Sequence, residues 1–368
     1  MTNPDVYAWL IANGDAPTRY RVYRELLHQE DTAQEMEAAL LEHPIVAYWL
    51  RMLKPQTPPQ HHSMHHGSFD FNLENALLKA VQLGLHAALP PVRDAVGFYL
   101  DELHTHTGDT SHYRNRHTGF PRILSVNLLA DAGFLDDVVM DALRKNLAEI
   151  HAFVHKGIYD IYLSDDEQKL LKGIPATFAG RPVIRPDLVD AYGFAYPLIY
   201  DIIGLHRLYD LNNPTSNQQI DDVISYITTD DFHSRIPDGY GILIAGNRRY
   251  HGMGWDPKYP GWGDVAQYME HDNVPRLLFF AQYIAHYRHG AQSMWMQRLL
   301  AYLQRYETAA GIYCFPGEWL KEKPGYAVMG AHVSFGENRR KKNWREVEST
   351  LYMQLLQQRL NRSISSKT

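Results

Sequence analysis

Apolar residues recur at helical spacing along most of the chain. The clearest stripes lie in Val92–Leu103, Val139–Val154 and Val347–Leu360, where apolar side chains fall three or four positions apart. Each stripe forms one face of an amphipathic helix. Polar–apolar alternation is rare, and Tyr240–Ala245 is the best candidate for a strand. The pattern therefore predicts an all-α protein.

Proline and glycine mark the ends of the predicted helices. Asn3-Pro4 is placed to start a helix that Gly14 ends, and Pro90-Pro91 is placed to start another. Proline fits the first helical turn and glycine the C-terminal cap. Counting such signals predicts about twelve helices of ordinary length.

Glycine next to an apolar or aromatic residue recurs between the helices. Gly67, Gly119 and Gly173 lie 52 and 54 residues apart, and Gly239 and Gly311 follow at wider spacing. A period near 50 residues is typical of stacked helical hairpins. We therefore expect a single domain over residues 1–368, an α/α toroid of about six hairpins, with residues 360–368 as a frayed tail.

Composition excludes several classes of partner. The 368 residues carry a formal net charge of −6, which does not favour nucleic acid. Cys314 is the only cysteine, which is typical of a reducing compartment. The first residues do not resemble a signal peptide, and no apolar run approaches the ~18 residues of a membrane span. We expect a cytoplasmic protein without integral membrane association; the oligomeric state stays open.

Polar aromatic residues are abundant, with 24 Tyr, 20 His and 7 Trp. Their apolar bodies and hydrogen-bonding tips suit the wall of a selective cavity. A tyrosine-rich helical core with wet edges explains the same composition, so both interpretations stay open.

Both ends of the chain resemble a known superfamily. The segments concerned are Trp9-Leu10, Pro17–Leu27, Phe335–Trp344 and Glu348–Thr350. They resemble the α/α-toroid superfamily of squalene cyclases and protein prenyltransferase β-subunits, and more closely its bacterial branch of prenyltransferase-like proteins. The resemblance implies a toroid with a central cavity, and it supports the fold better than any activity.

The chemical motifs of that superfamily do not carry over. The Asp-x-Asp-Asp motif of class II cyclases is absent, and Asp136–Asp141 misses the Asp-Asp-x-x-Asp magnesium motif by one position. Cys314 lacks the aspartate that accompanies the zinc-binding cysteine of protein prenyltransferases. We therefore expect no cofactor and assign no metal ligands.

Asp201 is the sharpest single candidate for catalysis. It lies in the apolar run Pro197–Leu205. Partial desolvation of a carboxylate favours its neutral form, which makes Asp201 a candidate general acid. A structural aspartate that caps a helix or pairs with arginine is the competing interpretation.

A glycine-rich loop over residues 248–262 is the candidate binding segment. Long ordered loops on a rigid scaffold often carry binding residues. Its aromatic rings can stack on a sugar or shield a carbocation, and its arginines can grip a carboxylate or phosphate. A well-packed surface loop is the alternative. The candidates, with the neighbouring Tyr200, are Arg248, Arg249, Tyr250, His251, Trp255, Asp256 and Trp262.

Glu337 and Glu348 form a third candidate group. If they approach each other or Asp201, they make a carboxylate pair suited to acid/base work. An ion-pair mesh with Arg339 and Arg340 that pins the last helix is slightly favoured over this. The basic run 339–342 is interpreted as a solvated surface turn.

The tract His61–His66 raises the question of a metal. Imidazole binds zinc, nickel and copper, but the tract contains neither cysteine nor a helical His-x-x-x-His pair. Composition alone does not establish a metal site here.

These features favour an enzyme over the alternatives. The leading hypothesis is general acid catalysis by Asp201 on an apolar or amphipathic, isoprenoid-like small molecule in a central cavity, with His251, Glu337 and Glu348 as further catalytic candidates. A carbohydrate lyase or glycoside hydrolase using Tyr250, His251 and Arg248 is the second hypothesis. A binding module without catalysis is the third.

Overall fold

The computed structural model describes residues 4–55, 64–105, 119–189, 194–211, 213–245, 249–309 and 311–365. It is 62% helix and 4% strand, which confirms the all-α class. None of the helices in these ranges combines the length and apolar character that crossing a membrane requires.

Eighteen α-helices and four short strands make up the described chain. They are α1 Pro4–Asn13, α2 Ala16–Arg21, α3 Glu30–Glu35, α4 Glu37–Glu42, α5 Pro44–Leu53, α6 Leu73–Gln82, α7 Pro90–Thr105, α8 Gly119–Asp131, α9 Asp137–Val154, α10 Asp165–Lys169, α11 Ile199–Asp210, α12 Pro214–Ile227, α13 Asp230–Arg235, β1 Ile242–Ala245, β2 Arg249–Gly252, α14 Val265–His271, α15 Val274–Ile284, α16 Arg288–Ala291, α17 Met294–Leu303, β3 Glu307–Ala309, β4 Ile312–Tyr313 and α18 Trp344–Ser365.

The three predicted apolar stripes fall on α7, α9 and α18, and nearly all of their residues are buried. Helix α1, described from Pro4 onward, ends just before Gly14, as predicted. The strand prediction is confirmed from its third residue onward, in β1. The helix count exceeds twelve because short helices replace longer periodic segments, as where α3 and α4 break at Met36. Helix α18 continues through Ser365, into the segment expected to be a frayed tail.

The chain divides into two compact units, residues 1–98 with 260–368 (unit one) and residues 99–259 (unit two). In unit one, α18 buries Val347, Leu351 and Leu355. Its Ser349 hydroxyl accepts a hydrogen bond from the Phe315 N–H at 2.8 Å. Its Thr350 hydroxyl accepts one from the Tyr313 N–H at 3.0 Å. The last helix is thereby tied to the strand pair β3–β4.

Helix α2 of unit one continues into a π-helical turn, Val22–Leu26. The Leu27 N–H donates to the Val22 carbonyl at 2.9 Å, five residues back. Arg21, just before the turn, makes a two-point ion pair with Glu25 at 2.7 and 2.9 Å. His28 then ends the segment with a φ of 55°, which a non-glycine residue rarely adopts.

Unit two is built on α8, α9, α11 and α12, which pack on one another. Helices α8 and α11 come close because Gly204 has no side chain. A Cβ at Gly204 would lie 2.6 Å from the Asn127 Cα on α8. The antiparallel pair β1–β2 aligns Ile242 with Gly252 and Ala245 with Arg249.

Candidate functional site

A group of interacting acid/base side chains lies in unit one. It consists of Tyr48, Asp70, Lys79, Glu322 and His332, which we call the relay cluster. Tyr48 lies on α5 and Lys79 on α6, while Asp70 lies on the loop that leads into α6. Glu322 and His332 come from the segment between β4 and α18.

Two backbone hydrogen bonds place Glu322 opposite His332. The Lys323 N–H donates to the Ala331 carbonyl at 3.1 Å, and the Ser334 N–H donates to the Lys321 carbonyl at 3.2 Å. Gly330 makes the turn possible with a φ of 79°. A Cβ there would lie 2.3 Å from the backbone of Pro275. The sequence must therefore have glycine at this turn.

The imidazole of His332 lies between two carboxyl groups. Its Nδ1 is 3.3 Å from Glu322 Oε1, and its Nε2 is 3.7 Å from Asp70 Oδ1. The edge-to-face ring of Trp49, 4.8 Å away between centroids, fixes the plane of the imidazole. His332 is almost fully buried, whereas the side chains of Asp70 and Glu322 are 21% and 24% exposed. The carboxyl groups therefore connect the buried imidazole with solvent.

Lys79 supplies a positive charge at the inner end of the cluster. Its side chain is fully buried and forms an ion pair with Glu322 Oε2. It also donates to the Ser334 carbonyl at 2.6 Å, and the Ser334 hydroxyl donates to Glu322 at 2.7 Å. Burial raises the pKa of Glu322, but Lys79, His332 and Ser334 together lower it to about 2. Glu322 is therefore an anion at neutral pH.

Tyr48 completes the cluster on the outer side. Its hydroxyl donates to Asp70 Oδ2 at 2.5 Å. The hydrogen bond to Asp70, followed by burial, raises the pKa of Tyr48 to about 12. Among the described residues, Asp70 Oδ1 and His332 Nε2 have no hydrogen-bond partner, and they face each other. The arrangement leaves one donor–acceptor pair available for proton transfer.

The loop that carries Asp70 also carries aromatic rings. Phe69 is 62% exposed and stacks on Phe71 with 5.3 Å between ring centroids.

Nearby, His66 Nδ1 lies 2.5 Å from Glu74 Oε2, and its ring is 5.2 Å from that of Tyr326. Of the His61–His66 tract, residues 61–63 lie outside the described residues. The described part therefore adds a second imidazole–carboxylate pair.

Asp201 occupies the interior of unit two. Its Oδ1 accepts from Asn146 at 2.7 Å and from Asn127 at 3.2 Å, and its Oδ2 accepts from the Leu198 N–H at 2.7 Å. The carboxylate thus caps the first turn of α11 and links it to α8 and α9. Tyr200 is buried beside it, with its ring 5.6 Å from that of Phe120.

Glu337 and Glu348 come together in unit one, where they join the segment before α18 to the N-terminal helices. Glu348 accepts from the Phe335 and Glu337 N–H groups at 2.7 and 3.0 Å. Glu337 accepts from the Asp15 N–H at 2.8 Å and the Thr18 hydroxyl at 2.6 Å. Burial raises the pKa of each carboxyl to about 7. Both side chains are enclosed by these partners.

The candidates of the predicted binding loop, residues 248–262, are only partly described and are not all brought together. Arg248 lies outside the described residues, and the side chain of Arg249 is not described. His251 is exposed on β2, and the Tyr250 hydroxyl donates to the Lys172 carbonyl at 3.1 Å. Trp262 belongs to unit one, whereas the rest of the loop through Tyr259 belongs to unit two.

Asp256 is the buried acid of that loop. Burial raises its pKa well above the ordinary value, although hydrogen bonds with Tyr196 and Tyr162 and the charge of Lys258 oppose the change. The Tyr162 hydroxyl lies 3.5 Å from Asp256 Oδ1. Half-buried Trp255, the preceding residue, meets the ring of Tyr240 edge to face at 5.3 Å. Asp256 is therefore a buried acid whose neutral form is favoured, beside partly exposed aromatic rings.

A small cavity in unit one does not gather the predicted residues. Its volume is about 40 Å³, enough for a few water molecules. Arg21, Gln82, Gln282, Phe335 and Tyr352 are among the residues that line it. None of the candidate residues named from the sequence is among its lining residues.

Sequence reasoning missed the relay cluster. Lys79 interrupts the apolar run of α6 and is fully buried, the same signal that singled out Asp201. Glu322 and His332 gave no such signal, because their pairing depends on a turn of the chain and not on helical spacing.

Comparison with known proteins adds no identification: no protein family, curated protein or solved structure matches this chain.

Proposed function

We propose that the chain is an enzyme that uses the relay cluster for general acid/base catalysis on an apolar or amphipathic small molecule. The observation that carries the proposal is the imidazole of His332, held between Glu322 and the partly exposed Asp70. An imidazole that one carboxylate orients, with its other nitrogen facing a proton donor or acceptor, is a recurrent arrangement for proton transfer in active sites.

The charges of the cluster suggest where the proton resides. With Nδ1–H directed at Glu322 Oε1, Nε2 is the nitrogen of His332 that faces Asp70 Oδ1, 3.7 Å away. The charges of Lys79 and Glu322 balance each other at the inner end of the cluster. In the forward step, the proton on His332 Nε2 passes to Asp70, and Asp70 delivers it to the substrate. The cycle closes when the substrate loses a proton to Asp70 at a later step, or when water supplies one, and that proton returns to His332 Nε2.

The surroundings favour a substrate with an apolar part. Phe69 and Phe71 lie on the same loop as Asp70, and Phe69 offers a large exposed face. Tyr48, the hydrogen-bond partner of Asp70, provides a second polar contact for the reacting group. Apolar walls with a few convergent polar groups are characteristic of small-molecule sites.

The carbohydrate alternative retains one supporting observation, in unit two. Trp255 and Tyr240 are half-buried rings of the kind that stack on sugars, and the Arg181 guanidinium lies 4.2 Å from the Tyr240 ring centroid. Closure of the hairpins into a toroid, and membership of the cyclase and prenyltransferase superfamily, stay predictions from the sequence.

The experiment is a comparison of turnover in a complex metabolite mixture. The purified full chain is incubated with a cellular metabolite extract, and depleted and new masses are identified by mass spectrometry. Asp70→Asn and His332→Gln should reduce the identified turnover by about 10²–10⁴-fold, the usual contribution of general acid/base groups. Tyr48→Phe should have a smaller effect, because it removes one hydrogen bond and leaves the relay.

Melting temperature separates catalytic from structural effects. Asp70→Asn retains the shape of the side chain and should keep the melting temperature within a few degrees of wild type. Wild-type turnover in both Asp70→Asn and His332→Gln would exclude the relay cluster as the acid/base group. A metabolite that binds the wild-type chain and is never converted would favour the binding module.

A further inference from the structure

Two histidines and an aspartate meet at the surface of unit two. His151 lies on α9, His155 is the residue that caps the end of α9, and Asp222 lies on the neighbouring α12. One ligand atom from each of the three lies within 4.8 Å of the other two. His151 Nε2 and Asp222 Oδ2 are already 2.9 Å apart.

We propose that His151, His155 and Asp222 form a binding site for a divalent transition-metal ion, for which zinc is the best match. Two imidazole nitrogens and one carboxylate oxygen are ligands that zinc accepts readily. The proposal concerns unit two and is independent of the relay cluster in unit one.

The backbone places the two histidines correctly. Residues four apart on a helix share a face, so the His151 and His155 rings lie beside each other, with 5.6 Å between centroids. Asp222 reaches them from the adjacent helix, 71 residues after His151. A metal at this point would join α9 to α12.

Only a small movement is needed to complete the site. Metal–ligand bonds of ~2.0–2.1 Å in a tetrahedral geometry place ligand atoms about 3.4 Å apart. The pair His151–Asp222 is slightly closer than this, and His155, which is exposed at the helix end, can rotate inward. The other two side chains are 24% and 38% exposed, so an ion can enter from solvent.

The carboxylate is prepared for a cation by its neighbours. Gln218 donates to Asp222 Oδ1 at 2.9 Å, which orients Oδ2 toward His151. Such outer hydrogen bonds commonly position metal ligands. Burial raises the pKa of Asp222, but the bonds from His151 and Gln218 and the two imidazoles lower it overall. The carboxylate is therefore ionised at neutral pH, as a metal ligand must be.

Three protein ligands leave at least one position of the ion open. In zinc proteins this arrangement holds a water molecule or a substrate, whereas purely structural sites have four protein ligands. The proposed site is accordingly one that exchanges its outer ligand with solvent.

Zinc titration of the full chain tests the site. The chain is first treated with a chelator, and Zn²⁺ binding is then measured by calorimetry for wild type, His155→Gln and Asp222→Asn. We expect a stoichiometric site in wild type and at least ~10-fold weaker binding in both variants, since loss of an outer partner alone costs 10–100-fold. Zn²⁺ should also raise the melting temperature of wild type more than that of either variant.

Two controls separate this site from other imidazoles. His271→Gln removes a histidine that is 70% exposed on α14, and a His61→Gln/His62→Gln variant weakens the separate histidine tract. Neither should change the affinity of the site on α9 and α12. The proposal is wrong if wild type binds no Zn²⁺, or if His155→Gln and Asp222→Asn bind it as tightly as wild type.

Discussion

Glu322 in unit one is a partly exposed acid and Asp256 in unit two a buried one, and their pKa values are displaced in opposite directions. Burial raises the pKa of both. Glu322 has an ion pair with Lys79 and further bonds from His332 and Ser334, and its pKa falls to about 2. Asp256 has phenolic hydrogen bonds and the charge of Lys258, which do not outweigh burial, so its pKa rises.

The difference shows what decides the charge of an enclosed acid. Burial sets a cost for the ionised form in both units, and the groups around the carboxyl determine whether that cost is overcome. A buried ammonium paired directly with Glu322 overcomes it, whereas the hydroxyls and the cation around Asp256 do not. The relay cluster therefore holds Glu322 as an anion, whereas the surroundings of Asp256 favour its neutral form.

The largest expected effect follows from removing the cation of the relay cluster. Lys79→Met should lower the free energy of unfolding by about 3–5 kcal/mol, because Glu322 loses its buried counter-charge. Urea unfolding at pH 7 measures the change. The double variant Lys79→Met/Glu322→Gln should recover much of the loss, since it removes both charges. A loss below ~1 kcal/mol in the single variant would contradict the role given to Lys79.

Glu337 is intermediate between Glu322 and Asp256. It has a nearby cation, but Lys341 Nζ lies 3.7 Å from Glu337 Oε2. Its pKa in the folded chain is about 7, above the ordinary value of 4.5, so the folded state binds the proton more tightly than the unfolded state. Stability should therefore fall as pH rises from 4.5 through 7. Glu337→Gln keeps the acceptor oxygen for Asp15 and Thr18 but does not titrate. Between pH 5 and pH 8, its free energy of unfolding should therefore fall by about 2–3 kcal/mol less than that of wild type.

The control for this measurement is Glu318→Gln, which removes an exposed carboxylate from the same unit. It should leave the pH dependence of unfolding as in wild type. Identical pH profiles for wild type and Glu337→Gln would show that Glu337 does not titrate in this range.

The smallest expected effect concerns Asp201, whose carboxylate is satisfied by three N–H donors. Asp201→Asn offers one acceptor oxygen in place of two, so we expect a loss of about 1–2 kcal/mol in the free energy of unfolding. Turnover should be unchanged if the relay cluster is the acid/base group. A loss of turnover with a preserved melting temperature would instead support Asp201 as the general acid.

The helices can be predicted from sequence because their signals are local. Apolar spacing predicts α7, α9 and α18, and Pro4 with Gly14 predicts the ends of α1. The break between α3 and α4 at Met36 carries no proline or glycine, so sequence signals underestimate the number of helices.

The relay cluster could not be predicted because it depends on contacts between distant residues. Lys79 and Glu322 are 243 residues apart, and their pairing depends on the turn at Gly330. The histidine pair at the end of α9 is different, because its spacing of four is present in the sequence and only Asp222 requires the packing of α12. The sequence can therefore indicate two of the three proposed ligands, and the fold supplies the third.

The π-helical turn at Val22–Leu26 has a consequence for how this segment is compared with other sequences. A turn closed over five residues contains one residue more than the α-helical pitch allows. The residues before and after this turn therefore do not follow one continuous helical periodicity. If the 3.6-residue period of α2 is extended past Leu26, it assigns each later residue to the wrong side of the helix. An alignment through residues 17–27 should accordingly admit a one-residue gap at this turn, where a related helix of regular pitch would be one residue shorter.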